Sequence, residues 1–170
     1  AISVAVCVGE KTGDRIVESL KTASESLRIG PGLSTENEPD LGPLITEDHK
    51  RKVKSYIESG VEQGAKLVLD GRDDESAKSS KGFFIGPTIF DFVKPTMNIY
   101  LEEIFGPVLS VVRVDSLADA IDLINDHQFG NGTSIFTNDG GNARVFQEEI
   151  KVGMVGVNIP IPVPMAYHSF

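Results

Sequence analysis

The chain has 170 residues, 40% of them hydrophobic, enough to bury a core of one domain's size and to set wholesale disorder aside. Its 16 Lys plus Arg against 25 Asp plus Glu give a formal net charge of -9, which repels phosphate backbones and anionic membrane surfaces, so neither nucleic acid nor a membrane is expected as a partner. With one cysteine there is no internal disulfide framework, which points to a reducing compartment, and no apolar run approaches the ~18 residues of a membrane span.

The opening run, Ile2 to Val8, is Val- and Ala-rich with little alternation, the pattern of a strand covered on both faces. An apolar strand at the very start, with no initiator Met, and an end at "AYHSF" suggest a piece of a longer protein. Ile16, Val17, Leu20, Ala23 and Leu27 recur at helical spacing, and Gly30-Pro31-Gly32 closes that helix. The acidic stretch Leu33 to Pro43 reads as a surface loop. Thr46 is a candidate N-cap ahead of Glu47 and Asp48, and Val53, Tyr56, Ile57 and Val61 mark one apolar face of the helix that follows. Its basic run Lys50-Arg51-Lys52-Val53-Lys54 has acidic neighbours and reads as a solvated face.

"AKLVLDG" predicts a short strand closed by Asp-Gly, and "RDDESAKSSKG" a mobile polar loop. "FFIGPTIFDFV" predicts an extended segment whose Gly86-Pro87 argues for an edge strand or a bend. Val108 to Val114 reads as a buried strand. Ser116 caps a helix carrying Leu117, Ala120, Ile121 and Ile124, "FGNGTSIFTND" holds a short strand between turns, Ala143, Val145, Phe146 and Ile150 mark another helix, and "VGMVGVNIP" a last strand. Strand, helix, strand, helix, strand from 108 to 158 is the order of parallel βαβ units, so the fold class is α/β.

Few residues suggest chemistry. Cys7 lies inside an apolar run with no base nearby in sequence and reads as a buried, inert thiol. His49, His127 and His168 share no ligand spacing, so no metal site is expected. Gly130-Asn131-Gly132-Thr133-Ser134-Ile135 carries Ile where the third glycine of a dinucleotide fingerprint belongs, and Asn131-Gly132-Thr133 is a chance sequon better read as a turn. The stretch "YLEEIFGPVLSVV" places Glu102, Glu103 and Phe105 before a Gly-Pro corner that leads into a strand. Adjacent glutamates on an extended segment point to opposite sides and cannot form an acid-base pair. Spacing alone favours a solvated pair at a turn. The alternative is one carboxylate bonding sugar hydroxyls while the ring covers a flat cofactor.

"EEIFGPV" resembles the aldehyde dehydrogenase superfamily, and "DLGPLITEDHKRKVKSYIESGVEQGAKLVLDG", "GFFIGPTIFDFV", "DAIDLIND", "GNGTSIFTND" and "VGMVGVNIP" stand in that family's order. "VGVNIPIPVPMAYHSF" looks like its methylmalonate-semialdehyde (malonate-semialdehyde) dehydrogenase branch. The resemblance implies the family's catalytic-domain fold, a twisted, mostly parallel sheet flanked by helices. It implies oxidation of a semialdehyde with NAD, transfer of the acyl group to coenzyme A with loss of carbon dioxide, and a place in valine and inositol breakdown. By the same resemblance Glu103 bonds the nicotinamide ribose and Phe105 packs beside the nicotinamide ring. Lys52 and His49 fall near the same ribose, His49 standing where relatives carry Gln. Asn158 and Phe170 line the substrate pocket. The catalytic cysteine and the NAD-binding half would lie upstream, so residues 1–170 are expected to be part of a catalytic domain, with no catalytic residue of its own and inactive alone. The complete protein is expected to be a homo-oligomer, dimer or tetramer, in the bacterial cytoplasm or alternatively the mitochondrial matrix. The rival readings are another NAD(P)-dependent aldehyde dehydrogenase, or a non-catalytic α/β nucleotide-binding module.

Overall fold

A computed structural model of the chain describes residues 2–33, 38–79 and 82–161, in two units, Ala1–Arg113 and Val114–Phe170. Along the first unit run strand β1 (Val4–Val8), helices α1 (Glu10–Glu25) and α2 (Glu47–Glu62), strand β2 (Lys66–Leu69), a 3-10 turn (Gly71–Asp73), helix α3 (Glu75–Ser79), strand β3 (Thr88–Asp91), helix α4 (Asn98–Leu101) and strand β4 (Val108–Val114). The strands form one sheet in the order β1-β4-β3-β2. β3 runs parallel to β4, and β2 antiparallel to β3.

β3 is buried along its whole length, and strand alternation sends its side chains to two differently packed faces. Ile89 joins Cys7, Val17 and Val111, with Leu20 of α1 packed against them. On the other face Phe90 lies beneath Gly60 of α2, so close that a methyl on Gly60 would sit 2.9 Å from the ring. Thus α1 covers one face and α2 the other. Val53 and Ile57 of α2 are both 0% exposed, each contributing about 1.5–3 kcal/mol of apolar burial.

The second unit holds α5 (Leu117–Asn125), β5 (Gly132–Ile135), α6 (Gly140–Glu149) and β6 (Met154–Val157). β5 and β6 pair in parallel, from Gly132 opposite Met154 to Ile135 opposite Val157, with α6 as their connection. Ile121, Phe146 and Ile150 form its core. Ser116 and Asp119 make a reciprocal capping box on α5, and Asp139 caps α6 through the Asn142 N–H.

Several expectations are corrected. The run from 108 to 158 holds one parallel βαβ unit, β5-α6-β6, while β4 pairs in parallel with β3 instead. Local succession predicts the elements but not which strands share hydrogen bonds. β3 is an interior strand and not an edge; Pro87 stands just before it, outside the ladder, and the N–H of Gly86 donates to the Gly71 carbonyl at 2.9 Å. β1, expected to be covered on both faces, is an edge strand with only Cys7 buried. The stretch expected as a mobile loop carries the 3-10 turn and α3. Asp70 caps the first and Asp74 accepts from the Ala77 N–H at 2.9 Å, while Ala77 packs with Ile29 and Phe84. α1 stops at Glu25, ahead of the Gly-Pro-Gly signal. Val61 is 45% and Val145 41% exposed; on α2 the buried position falls to Gly60 because Phe90 fills the space above it.

Candidate functional site

The corner joining α4 to β4 combines exposed chemistry with a constrained backbone. After α4, Glu102 is extended at φ -103 and ψ 146. Glu102 and Glu103 are both exposed, and Ile104 between them and the corner is buried. Phe105 then takes φ 58, the left-handed region that costs a bulky residue on the order of 1–3 kcal/mol, yet its ring is 77% exposed. The strain is not repaid by burying the ring.

The first turn of α2 holds that corner. Thr46 Oγ1 accepts from the His49 N–H at 3.1 Å, starting the helix. The half-buried His49 ring then reaches across, its Nε2 at 2.9 Å from the Phe105 carbonyl oxygen. Because that oxygen can only accept, Nε2 carries the proton. One turn further on, Gly106 lies flush on Val53, where an added methyl would come 2.8 Å from Val53 Cγ2. Pro107 is tied to β3 by the Thr88 N–H at 2.8 Å, and Ser110 Oγ donates to the Ile99 carbonyl at 3.1 Å, tying α4 to β4. Lys52 is exposed on the same helix, its ammonium 5.6 Å from the Tyr56 ring centroid. In the expected basic face, Arg51 pairs with Asp48. A cleft of about 320 Å³ opens beside the corner, lined by Leu41, Gly42, Pro43, Leu44, Ile85, Gly106 and Pro107.

Of the residues singled out from the sequence, the structure joins His49 directly to Phe105 and places Glu103 and Lys52 on the flanking segments. Asn158 lies in the second unit, immediately after β6, at φ 55. Its side-chain amide is engaged twice by Thr137, accepting from the N–H and donating to the carbonyl, each at 2.9 Å. It therefore shapes its loop through the backbone. Phe170 and His168 lie outside the described residues. Cys7 is buried, and burial pushes its thiol pKa up while Arg113 partly opposes the shift; it is a poor nucleophile. Among the described residues no cluster of three metal-ligating side chains occurs, and no helix is long and apolar enough to cross a membrane.

One polar centre escaped sequence reasoning. Arg113, its side chain 8% exposed, donates to fully buried Asp91 through Nε at 3.0 Å and Nη2 at 2.8 Å. Its Nη1 meets Glu10 and Asp14 at 3.0 and 2.8 Å, and its guanidinium stacks 4.2 Å from the Phe92 ring centroid. Hydrogen bonding to Asp91 raises its pKa further above the usual arginine range. Nothing in the chain pattern couples these positions, which lie on β3, β4 and α1. Gly13 of α1 leaves room for the guanidinium, which an added methyl would strike at 2.8 Å.

Residues 2–170 match the aldehyde dehydrogenase family, and the chain belongs to that family. Among its relatives, the malonate-semialdehyde dehydrogenase of Pseudomonas aeruginosa is 58% identical over 170 residues, 100% of this chain and 34% of that protein. Malonate-semialdehyde dehydrogenase 2 of Geobacillus kaustophilus is 52% identical over the same share of each. The crystal structure of methylmalonate-semialdehyde dehydrogenase from Oceanimonas doudoroffii matches with a TM-score of 0.93 at 53% identity, covering 100% of this chain and 34% of that one. A Mycobacterium tuberculosis aldehyde dehydrogenase complexed with NAD+ matches with a TM-score of 0.82 at 34% identity, covering 92% of this chain and 31% of that one. The chain thus spans about one third of the length of the relatives it matches.

Proposed function

We propose that this chain is part of the catalytic domain of an NAD-dependent, coenzyme A-acylating malonate- or methylmalonate-semialdehyde dehydrogenase. The rest of the parent chain would supply the catalytic cysteine and the NAD-binding half. The identity of 58% and 52% to proteins named malonate-semialdehyde dehydrogenase supports the substrate class. The single observation that supports the cofactor role is Phe105: an aromatic ring left 77% exposed on a left-handed backbone, since strain that buys no burial belongs where a ligand is bound.

The residues present fit the nicotinamide end of NAD. The Phe105 ring offers an apolar face to a flat heterocycle, the exposed Glu103 carboxylate an acceptor for ribose hydroxyls, and Lys52 a cation on the neighbouring helix. NAD would accept the hydride released when the aldehyde is oxidised; the acyl group would pass to the thiol of coenzyme A as carbon dioxide leaves. Asn158 and Phe170 would border the aldehyde. The complete enzyme would be a homo-oligomer, and the bacterial origin of its relatives favours the bacterial cytoplasm over the mitochondrial matrix as its setting.

The test is Glu103→Gln in the complete enzyme. Losing a charged hydrogen bond worth about 1.5–3 kcal/mol slows single-turnover hydride transfer roughly ten- to a hundredfold. An unchanged single-turnover rate overturns the role of Glu103.

A further inference from the structure

We infer that His49 is a positioning residue that acts through the backbone of Phe105, not through a contact of its own with the cofactor. This rests on the nicotinamide reading of the Phe105 corner given above. His49 Nε2 is 2.9 Å from the Phe105 carbonyl oxygen, so its proton is committed to the protein, and its ring is half-buried where Lys52 on the same helix is exposed. The bond falls on the residue with φ 58, whose conformation must be over-determined from outside to persist. The ring of Phe105, 77% exposed, supplies no packing to do this.

Two fasteners from one face of α2 supply it. Val53 sits one turn beyond His49 and meets Gly106 so closely that a methyl there would come 2.8 Å from Val53 Cγ2. His49 fixes the carbonyl before Gly106 and Val53 the α-carbon after it, so the peptide between them has little freedom to rotate. Phe105 is thereby held with its ring outward. His49 is itself anchored, because Thr46 Oγ1 caps its N–H at 3.1 Å. The chain of support runs from helix cap to imidazole to carbonyl to ring.

The geometry of the donor makes the idea testable. A glutamine places its side-chain N–H₂ as many bonds from Cβ as histidine Nε2, an asparagine one bond short, and a phenylalanine keeps a ring without a donor. In the complete enzyme, NADH affinity is measured by fluorescence titration for His49→Gln, His49→Asn and His49→Phe, each also combined with Phe105→Ala, with thermal unfolding recorded for all. Loss of one hydrogen bond is expected to weaken NADH binding roughly fivefold in His49→Phe and His49→Asn. His49→Gln restores affinity, and crystals of His49→Phe show Phe105 out of the left-handed region. In the Phe105→Ala background His49→Phe loses most of its effect, because there is no ring left to position. If His49→Phe costs as much without the Phe105 ring as with it, His49 touches the cofactor directly and the inference is wrong. It is equally wrong if Phe105 stays left-handed and affinity is unchanged in His49→Phe. Failure of the underlying reading looks different: Phe105→Ala and Glu103→Gln would then leave NADH affinity unchanged, whatever His49 does to the backbone.

Discussion

Asp91→Ala removes the carboxylate that accepts from Arg113 Nε at 3.0 Å and Nη2 at 2.8 Å, and from the Phe92 N–H at 2.8 Å. Asp91 is 0% and the Arg113 side chain 8% exposed, so water replaces little of what is lost. The surviving partners, Glu10 and Asp14, reach only Nη1, and their side chains are 72% and 70% exposed, where screening leaves such pairs weak. Two of the three guanidinium nitrogens are left buried without that acceptor. Breaking a buried pair by deleting one partner costs about 3–5 kcal/mol, a large share of the ~5–15 kcal/mol that holds a domain together. Hydrogen exchange of β3 and β4 amides in the complete protein reads this directly, and a loss of that size speeds exchange roughly a hundred- to several-thousandfold. Asp91→Leu combined with Arg113→Met should return most of the protection, because well-packed apolar residues replace a buried ion pair at little cost. Acceleration of less than about tenfold in Asp91→Ala, or a double variant no better protected than the single one, would mean that the Asp91–Arg113 pair does not hold β3 to β4.

Gly60→Ala gains about 1 kcal/mol of helix propensity, but its methyl lands 2.9 Å from the Phe90 ring and 3.0 Å from Ile99 Cδ1. Overpacking of about 1–3 kcal/mol outweighs the gain, so the thermal midpoint falls; a rise would mean that ring and methyl yield freely. Cys7, its thiol pKa raised by burial, should be alkylated far more slowly in the native protein than in urea, as mass spectrometry of its peptide would record. The sign of the linked pH effect follows: folding favours the protonated thiol, so its contribution to stability is intact below the ordinary thiol pKa and is lost as pH rises toward the folded value. A Cys7 peptide modified equally fast with and without urea would contradict its burial.

Legibility followed the range of the interactions involved. β4 spans Val108–Val114 as its apolar run indicates, and the caps Thr46 and Ser116 stand where hydroxyls precede acidic residues, because a strand's burial and a helix's first turn are written within a few residues. Sheet membership was not legible, since β4 and β5 follow one another in sequence yet pair elsewhere. Gly60 and Ala77 were passed over because a small residue is buried only by what lies opposite, here Phe90 in one case and Phe84 in the other. The candidate site divides the same way. Glu103 and Phe105 stood out by type and by the order of their motifs, whereas the partner of His49 is a backbone carbonyl, which every residue has. Nor does any propensity mark a phenylalanine for the left-handed region.

Gly71 and Gly86 meet backbone to backbone at the approach to β3. A Cβ on Gly71 would lie 2.0 Å from the Gly86 carbonyl oxygen, and one on Gly86 would lie 2.8 Å from Asp74 Cβ and 3.1 Å from Gly71 Cα. No flexible side chain stands in the way on the Gly71 side, so nothing can swing aside to make room. In mutational terms the two positions form a single locus with a one-letter alphabet: a change at either cannot be compensated by a change at the other, since neither can become smaller. Whatever else the stretch between them carries, its two ends must still close on bare backbone.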